Sequence, residues 1–188
     1  MSVRVRRSLL DVAVEVLVAE PAASLAEVAQ AAGIGRTTLH KHYATRDDLI
    51  RAVGHRAIDL CEEVIATAER STADDGGLRA LTEAMVPIGP YLAFLWRNPS
   101  LDRAEDISER WCAVEPRALA VLKRAQVRGV LRGDVADFWL LQTYYSLVYV
   151  AADSIDSGHL APRDAPKLVV DTIIGGLGTP RGLAEGSQ

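Results

Sequence analysis

Apolar residues recur every three or four positions along almost the whole chain, and this spacing restricts the possible fold more than any other feature. It is the period of an α-helix that buries one face. A β-strand would instead show strict alternation of apolar and polar residues between turn signals, and no such run occurs in the sequence. The sequence therefore predicts an all-α fold.

The chain has 188 residues, which is enough to bury a sizeable core without disulfides or metal ions. It opens MSVRVRRSLL, with no apolar signal segment, and its apolar stretch 138–152 is shorter than the roughly 18–20 residues that cross a bilayer. Cys112 has no CxxC partner and is expected to be a buried free thiol. We therefore expect a soluble, cytoplasmic protein with no membrane partner.

Charge is distributed unevenly along the chain. The net charge of −4 argues by itself against nucleic-acid binding, which needs clustered Lys and Arg. Residues 1–51, however, carry seven basic and six acidic side chains, a net charge of +1, whereas the remaining fourteen basic and nineteen acidic residues give −5. This pattern is compatible with an anion-binding end on an acidic body.

Strong boundary signals divide the first part of the chain into short helices. The first helix is predicted over about 6–19 and ends before Pro21. A capping box from Ser24 to Glu27 begins the second helix, which ends at the turn at Gly33. A third helix follows over about 36–43, and a cap at Thr45 begins a fourth that runs toward Arg70. We expect the first three of these helices to form a head.

The rest of the chain predicts longer helices. They are expected over about 78–96, with a break at Pro87–Pro90, and then over 101–112, 115–130, 135–157 and 164–177. The stretch STADDGG at 71–77 is the clearest linker. We therefore predict a three-helix head at 1–51, a larger helical body at 52–180 and a tail at 181–188.

The segment 24–51 has the spacing of a helix-turn-helix. That motif needs a small residue on its first helix, here Ala29, and a glycine in the turn, here Gly33. Apolar wedges then hold the two helices, here Val28, Ile34 and Leu39. Polar residues at the start of the second helix face DNA bases, here Arg36, Thr37 and Thr38. Ordinary three-helix packing with a polar loop is the alternative.

The same segment resembles the amino-terminal domain of the TetR family of bacterial transcriptional regulators. The resemblance lies in Val28-Ala29, in Ala32-Gly33, in IGRTTLHKHY at 34–43 and in TRDDL at 45–49. His40 stands where the family usually has a Tyr that reaches a phosphate, and Gly35 stands where a Ser usually caps the recognition helix. The body resembles the family only in layout.

The resemblance implies a ligand-responsive regulator, more often a repressor, that binds a pseudo-palindromic operator in double-stranded DNA as a homodimer. The expected DNA contacts are Arg36, Thr37, Thr38, His40, Lys41, His42, Tyr43 and Arg46. Bases are expected to be read or framed by Arg36 and Thr38, and phosphates to be positioned by Lys41, His42, Tyr43 and Arg46. The basic residues expected to reach the backbone or the minor groove are Arg4, Arg6 and Arg7.

The last two long helices are expected to form the dimer interface, because they carry more apolar residues than a lone helical body covers. These residues are Leu147, Val148, Ala151, Ala152, Leu168, Val169 and Ile173.

Aromatic residues are concentrated in the body, as a small-molecule pocket requires. The candidate ligand-binding residues are Phe94, Trp96, Trp111, Gln142, Tyr144 and Tyr145. Core packing alone would use the same residues. The expected effector is small and largely apolar, and its identity is not readable from the sequence.

Catalysis and metal binding find little support. His55, Asp59, Glu62 and Glu63 share a helix, but their spacing is typical of a solvated face, and no Glu-x-x-His pair is present. We predict no catalytic residue, no metal and no cofactor. The alternative function is a helical-bundle enzyme or small-molecule carrier with a vestigial DNA-binding head. Groove-sized polar residues at 36–38 and at Lys41 favour the regulator.

Overall fold

The structure, a computed structural model, describes residues 8–177, apart from the side chain of Asp102. Within this range no β-strand occurs, so the predicted all-α fold is confirmed. A 3-10 turn, Val86–Ile88, joins α5 to α6. The helices are α1 (Leu9–Ala19), α2 (Leu25–Ala31), α3 (Arg36–His42), α4 (Arg46–Glu69), α5 (Leu78–Met85), α6 (Gly89–Arg97), α7 (Pro99–Asp102), α8 (Glu105–Val127), α9 (Asp137–Asp156) and α10 (Ala165–Leu177).

The chain forms two compact units. The head unit comprises the residues up to Ala57 together with Pro90–Ser108, and the body unit comprises Ile58–Gly89 together with the residues from Glu109 onward. Helices α6 and α8 each have residues in both units, and so does the long helix α4. The division expected after residue 51 falls inside this helix and stays a prediction.

Capping boxes start two helices of the head unit. The Ser24 amide donates to Oε2 of Glu27 at 2.7 Å, and the Glu27 amide donates to Oγ of Ser24 at 3.3 Å, so the predicted box at α2 is confirmed. The hydrogen bonds that the Ser24 amide and hydroxyl donate to the Glu27 carboxylate hold its pKa below its usual value. Ser8 and Asp11 form a second box at α1, which the sequence analysis did not identify.

Asp11 also holds α6 in the head unit. The Tyr91 hydroxyl donates to Oδ1 of Asp11 at 2.7 Å, and Nη1 of Arg97 donates to the Val18 carbonyl at 3.3 Å. Burial tends to raise the pKa of Asp11, but the hydrogen bonds from Tyr91 and Ser8 outweigh it, so the net pKa is lowered. The first helix of the head is therefore tied to α6 by a charge-assisted hydrogen bond.

A single helix, α8, replaces the two helices predicted over 101–112 and 115–130, with Pro116 inside it. The proline removes one backbone hydrogen bond, but packing on both sides of it keeps the helix continuous. The buried residues on that face are Val114, Ala118, Val121, Leu122 and Ala125. Cys112 lies on the opposite face and is exposed, so the prediction of a buried thiol is wrong.

The break predicted at Pro87–Pro90 is confirmed as the 3-10 turn that precedes α6. This turn packs against α9 in the body unit. A Cβ atom on Gly89 would overlap Cβ of Ala152, so no other residue fits here without a shift of the backbone.

Candidate DNA-binding surface

The turn between α2 and α3 depends on Gly33. Its φ of +67° is favourable for glycine, and the next amide, that of Ile34, donates to the Ala29 carbonyl at 3.0 Å. Val28, Ala29 and Leu39 are at most 2% exposed, so the apolar wedges predicted at Val28 and Leu39 are buried as expected, whereas the third predicted wedge, Ile34, is only half-buried. The two short helices are thus held by a small local core.

Leu39 is the buried residue of α3, and the other residues of this helix are exposed. Successive residues of a helix are rotated by about 100°, so Thr37 and Lys41 point to the side opposite Leu39. The remaining exposed positions lie progressively closer to the packed side, in the order Thr38 and His40, then Arg36 and His42. Thr37 and Lys41 therefore occupy the centre of the free face.

The charged side chains of α3 are available for a ligand. The side chains of Arg36 and Lys41 are exposed and make no hydrogen bond or ion pair with any residue from 8 to 177. Gly35 precedes the helix without a side-chain cap. Tyr43 ends it with a half-buried ring, and burial raises the pKa of its phenol.

Arg46 lies in the first turn of α4 and bonds within the head unit. Its Nε donates to the Ala23 carbonyl at 2.9 Å, and its Nη2 donates to the Pro21 carbonyl. The guanidinium therefore fastens the turn between α1 and α2. The expectation that Arg46 also positions a phosphate stays a prediction. Another three residues of the expected DNA surface, Arg4, Arg6 and Arg7, lie outside the described residues.

The six candidate ligand-binding residues are divided between the two units. Phe94 and Trp96 belong to the head unit, where Phe94 is buried and Trp96 is 41% exposed. Trp111, Gln142, Tyr144 and Tyr145 belong to the body unit.

Three of the body residues form an aromatic cluster. The rings of Trp111 and Tyr145 have centroids 6.1 Å apart, and those of Tyr144 and Tyr145 are 5.9 Å apart. Burial raises the pKa of both phenols well above the usual value. The Tyr144 hydroxyl is completely buried and makes no hydrogen bond of ordinary geometry with a described residue. Such a hydroxyl is destabilising unless a polar group from elsewhere satisfies it.

Helices α9 and α10 differ from the sequence analysis in which residues they expose. Five of the seven apolar residues expected at a dimer interface are buried inside the protomer and cannot cover a partner: Val148, Ala151, Ala152, Val169 and Ile173. The apolar residues that are exposed include Trp139 at 62%, Val150 at 57% and Leu168 at 52%. Only the packing of the helices shows this, because all of these residues share the same apolar character.

The structure also bears on metal binding and on whether a helix could span a membrane. Among the described residues, no three His, Cys, Asp or Glu side chains come together in a way that could hold a metal ion. None of the described helices is both long and apolar enough to cross a membrane.

Known proteins resemble this chain over the head and beyond it. The family model for bacterial regulatory proteins of the tetR family matches residues 9–53, from α1 into α4. The HTH-type transcriptional repressor LfrR of Mycolicibacterium smegmatis is 30% identical over 175 residues, which cover 93% of this chain and 88% of LfrR. The chain belongs to the TetR family.

Other TetR-family comparisons extend the similarity. The HTH-type transcriptional regulator NfxB of Pseudomonas aeruginosa is 25% identical over 168 residues, which cover 87% of this chain and 89% of NfxB. The crystal structure of LfrR from Mycobacterium smegmatis in complex with proflavine matches with a TM-score of 0.75 and 26% identity, over 93% of this chain and 96% of that chain. The chain is a DNA-binding transcriptional regulator, as its sequence predicts.

Proposed function

We propose that this TetR-family protein represses transcription as a homodimer, with α3 of each protomer in the major groove of a pseudo-palindromic operator. One observation carries the proposal: α3 is exposed except at Leu39, with Thr37 and Lys41 at the centre of its free face. The major groove admits a single α-helix. The similarity to LfrR, which is named a repressor, supports the sign of regulation. The proposal assigns the chain no catalytic role and places it in the cytoplasm.

The direction of each side chain on α3 refines the expected contacts. Thr37 and Lys41 face the bases, because they lie opposite the buried Leu39. Arg36 reaches the same bases from the first turn through its long side chain. Lys41, which the sequence predicted to position a phosphate, is therefore proposed to contact a base. The flanking residues that remain assigned to the DNA surface are Thr38, His40, His42 and Tyr43.

Selection of operator fragments from genomic DNA, followed by titration of variants, tests these contacts. Lys41→Ala should cost roughly 1–3 kcal/mol at one base position and change the preferred sequence there. The matched control His42→Ala should weaken binding to all sequences alike. If Lys41→Ala weakens every sequence equally, Lys41 contacts phosphate. If no fragment is selected above background, the proposed recognition of an operator by α3 fails.

The exposed side of α9 and α10 supports the dimer. Trp139 and Val150 lie on one stripe of α9, with the small Ser146 between them, and Leu168 lies on α10, which packs against α9. Gly175 lies on the same stripe of α10 as Leu168 and allows a second backbone to approach. Exposed apolar surface of this kind is typical of an interface.

Sedimentation velocity tests this interface. Val150→Asp and Leu168→Asp should each convert dimer to monomer, because a carboxylate would be buried without a partner. Phe138→Asp is the matched control, since Phe138 is 76% exposed but lies about 100° around α9 from the stripe. A wild-type protein that sediments only as a monomer contradicts the proposal.

An effector of the proflavine type is the second part of the proposal. LfrR has been solved with proflavine, a planar aromatic molecule. The cluster of Trp111, Tyr144 and Tyr145 is the candidate aromatic site in the body unit, where Trp111 is half-exposed and the two buried tyrosines become accessible only when the site opens. A coupling of roughly 1–3 kcal/mol would lower operator affinity about 5- to 150-fold.

The effector test must separate binding to protein from intercalation into DNA. The fluorescence of proflavine should be quenched when it binds the protein in the absence of DNA. Proflavine should then dissociate the wild-type protein from the operator, but not the Trp111→Ala variant. Intercalation into the operator would dissociate both proteins equally. Equal dissociation of wild type and Trp111→Ala therefore contradicts the effector site. Thermal unfolding of Trp111→Ala without ligand checks that the variant is folded.

A further inference from the structure

A surface groove of about 440 Å³ lies in the body unit, between the 71–77 segment and the carboxy-terminal half of α8. Small-molecule sites typically measure roughly 300–1,000 Å³, so the groove has room for a small ligand but not for a folded segment. None of the six predicted ligand-binding residues lines it. Its apolar residues include Ala73, Ala120 and Val127, the last of which is 87% exposed.

Arg124 is a fixed positive charge in this groove. Its Nε donates to the Gly76 carbonyl at 3.1 Å, its Nη1 to the Glu69 carbonyl at 2.9 Å and its Nη2 to the Ala68 carbonyl at 2.7 Å. A guanidinium has five N–H donors, so two are not used in these bonds. All three acceptors are neutral carbonyls, and no carboxylate from residues 8–177 is hydrogen-bonded to Arg124.

Two further cations line the groove. Lys123 pairs with Asp137 at 2.7 Å, and both side chains are half exposed. Nη1 of Arg128 lies 4.0 Å from a carboxylate oxygen of Asp74, whose side chain is fully exposed. Exposed pairs of this kind contribute little, so Arg128 is free to turn toward another anion. Glu69 also acts on Arg124 but is paired with Arg117 at 2.7 Å, so four cations against the three carboxylates of Asp74, Asp137 and Glu69 leave a net charge of +1.

We propose that this groove binds a small amphiphilic carboxylate, such as a short aliphatic acid. The carboxylate would lie on Arg124 and Arg128, because guanidinium groups bind carboxylates through parallel N–H bonds. The hydrocarbon part would cover Ala73, Ala120 and Val127 and remove them from water. A strongly hydrated inorganic anion would leave those residues exposed, which is why an amphiphile is favoured.

Octanoate is the probe. Acetate is a control that keeps the carboxylate without the long chain, and 1-octanol is a control that keeps the chain without the charge. In ¹H–¹⁵N correlation spectra of the full chain, octanoate should shift the amides of residues 71–77 and 120–128 saturably. Acetate and 1-octanol should each bind roughly tenfold more weakly than octanoate, because each lacks either the apolar chain or the carboxylate. Shifts centred on Trp111 and Tyr145 instead would overturn the proposal.

Variants identify the groove residues. Arg128→Gln should weaken octanoate binding roughly tenfold, the loss expected for one charge-assisted hydrogen bond. Val127→Asp should weaken it at least as much. Arg163→Gln removes an arginine that is 88% exposed outside the groove and should have no effect. Equal affinity of octanoate and 1-octanol, unchanged binding by Arg128→Gln, or no saturable shift at millimolar concentrations would each refute the inference. The outcome is independent of operator binding.

Discussion

Replacement of Arg46 by Met should destabilise the head unit and weaken operator binding without changing its dependence on salt. The substitution removes two hydrogen bonds from a guanidinium, one to the Ala23 carbonyl at 2.9 Å and one to the Pro21 carbonyl. A hydrogen bond to a charged group contributes roughly 1.5–3 kcal/mol when buried. Because one bond is part-buried and the other exposed, we expect a total loss of about 2 kcal/mol.

Urea unfolding followed by circular dichroism measures this loss, and operator titration at several salt concentrations measures the slope. A phosphate contact would instead flatten the slope by about one and leave the free energy of unfolding unchanged. Arg46→Lys separates the two roles, since it keeps the charge but lacks Nε and the planar fork. If Arg46→Lys binds operator like wild type while Arg46→Met flattens the slope at unchanged stability, Arg46 positions a phosphate and the structural role is refuted.

Gly89→Ala should lower the free energy of unfolding in urea by roughly 1–3 kcal/mol, because its Cβ would overlap another side chain, whereas Gly133→Ala, with open space around it, should not. A thiol reagent should label exposed Cys112 in the native protein, while Cys61, buried and with its pKa raised to about 12, should react only on unfolding. The pKa of Asp11 is lower folded than unfolded, so its stabilisation is present above about pH 4 and lost as pH falls further. Asp11→Asn should therefore flatten the fall of Tm with pH below that point.

The helix-turn-helix could be read from the sequence because its signals are local. The capping box at Ser24 and the left-handed turn at Gly33 each involve residues within four or five positions of one another. The buried position of Leu39 follows from helical spacing relative to those boundaries. Short-range hydrogen bonds and backbone conformation were thus sufficient to predict the two helices and the turn between them.

The region around α8 was harder to predict, because packing against distant residues outweighs the local signals there. Pro116 is a local signal for a helix end, but burial of Val114 and Ala118 on either side of it outweighs the lost hydrogen bond. The exposure of Cys112 then follows from the direction of that buried face. A local signal fails where packing against distant residues contributes more free energy.

Sequence by itself determined that the chain is helical, where α2 and α3 begin and end, and that this segment resembles a known family of regulators. Tertiary structure alone decided which apolar residues of α9 and α10 are exposed, since Val148 and Val150 are equally apolar but only Val150 is accessible. It also decided the position of Arg46, whose hydrogen bonds span more than twenty residues. Such contacts depend on how helices pack, and the spacing of residues along one helix contains no information about its neighbours.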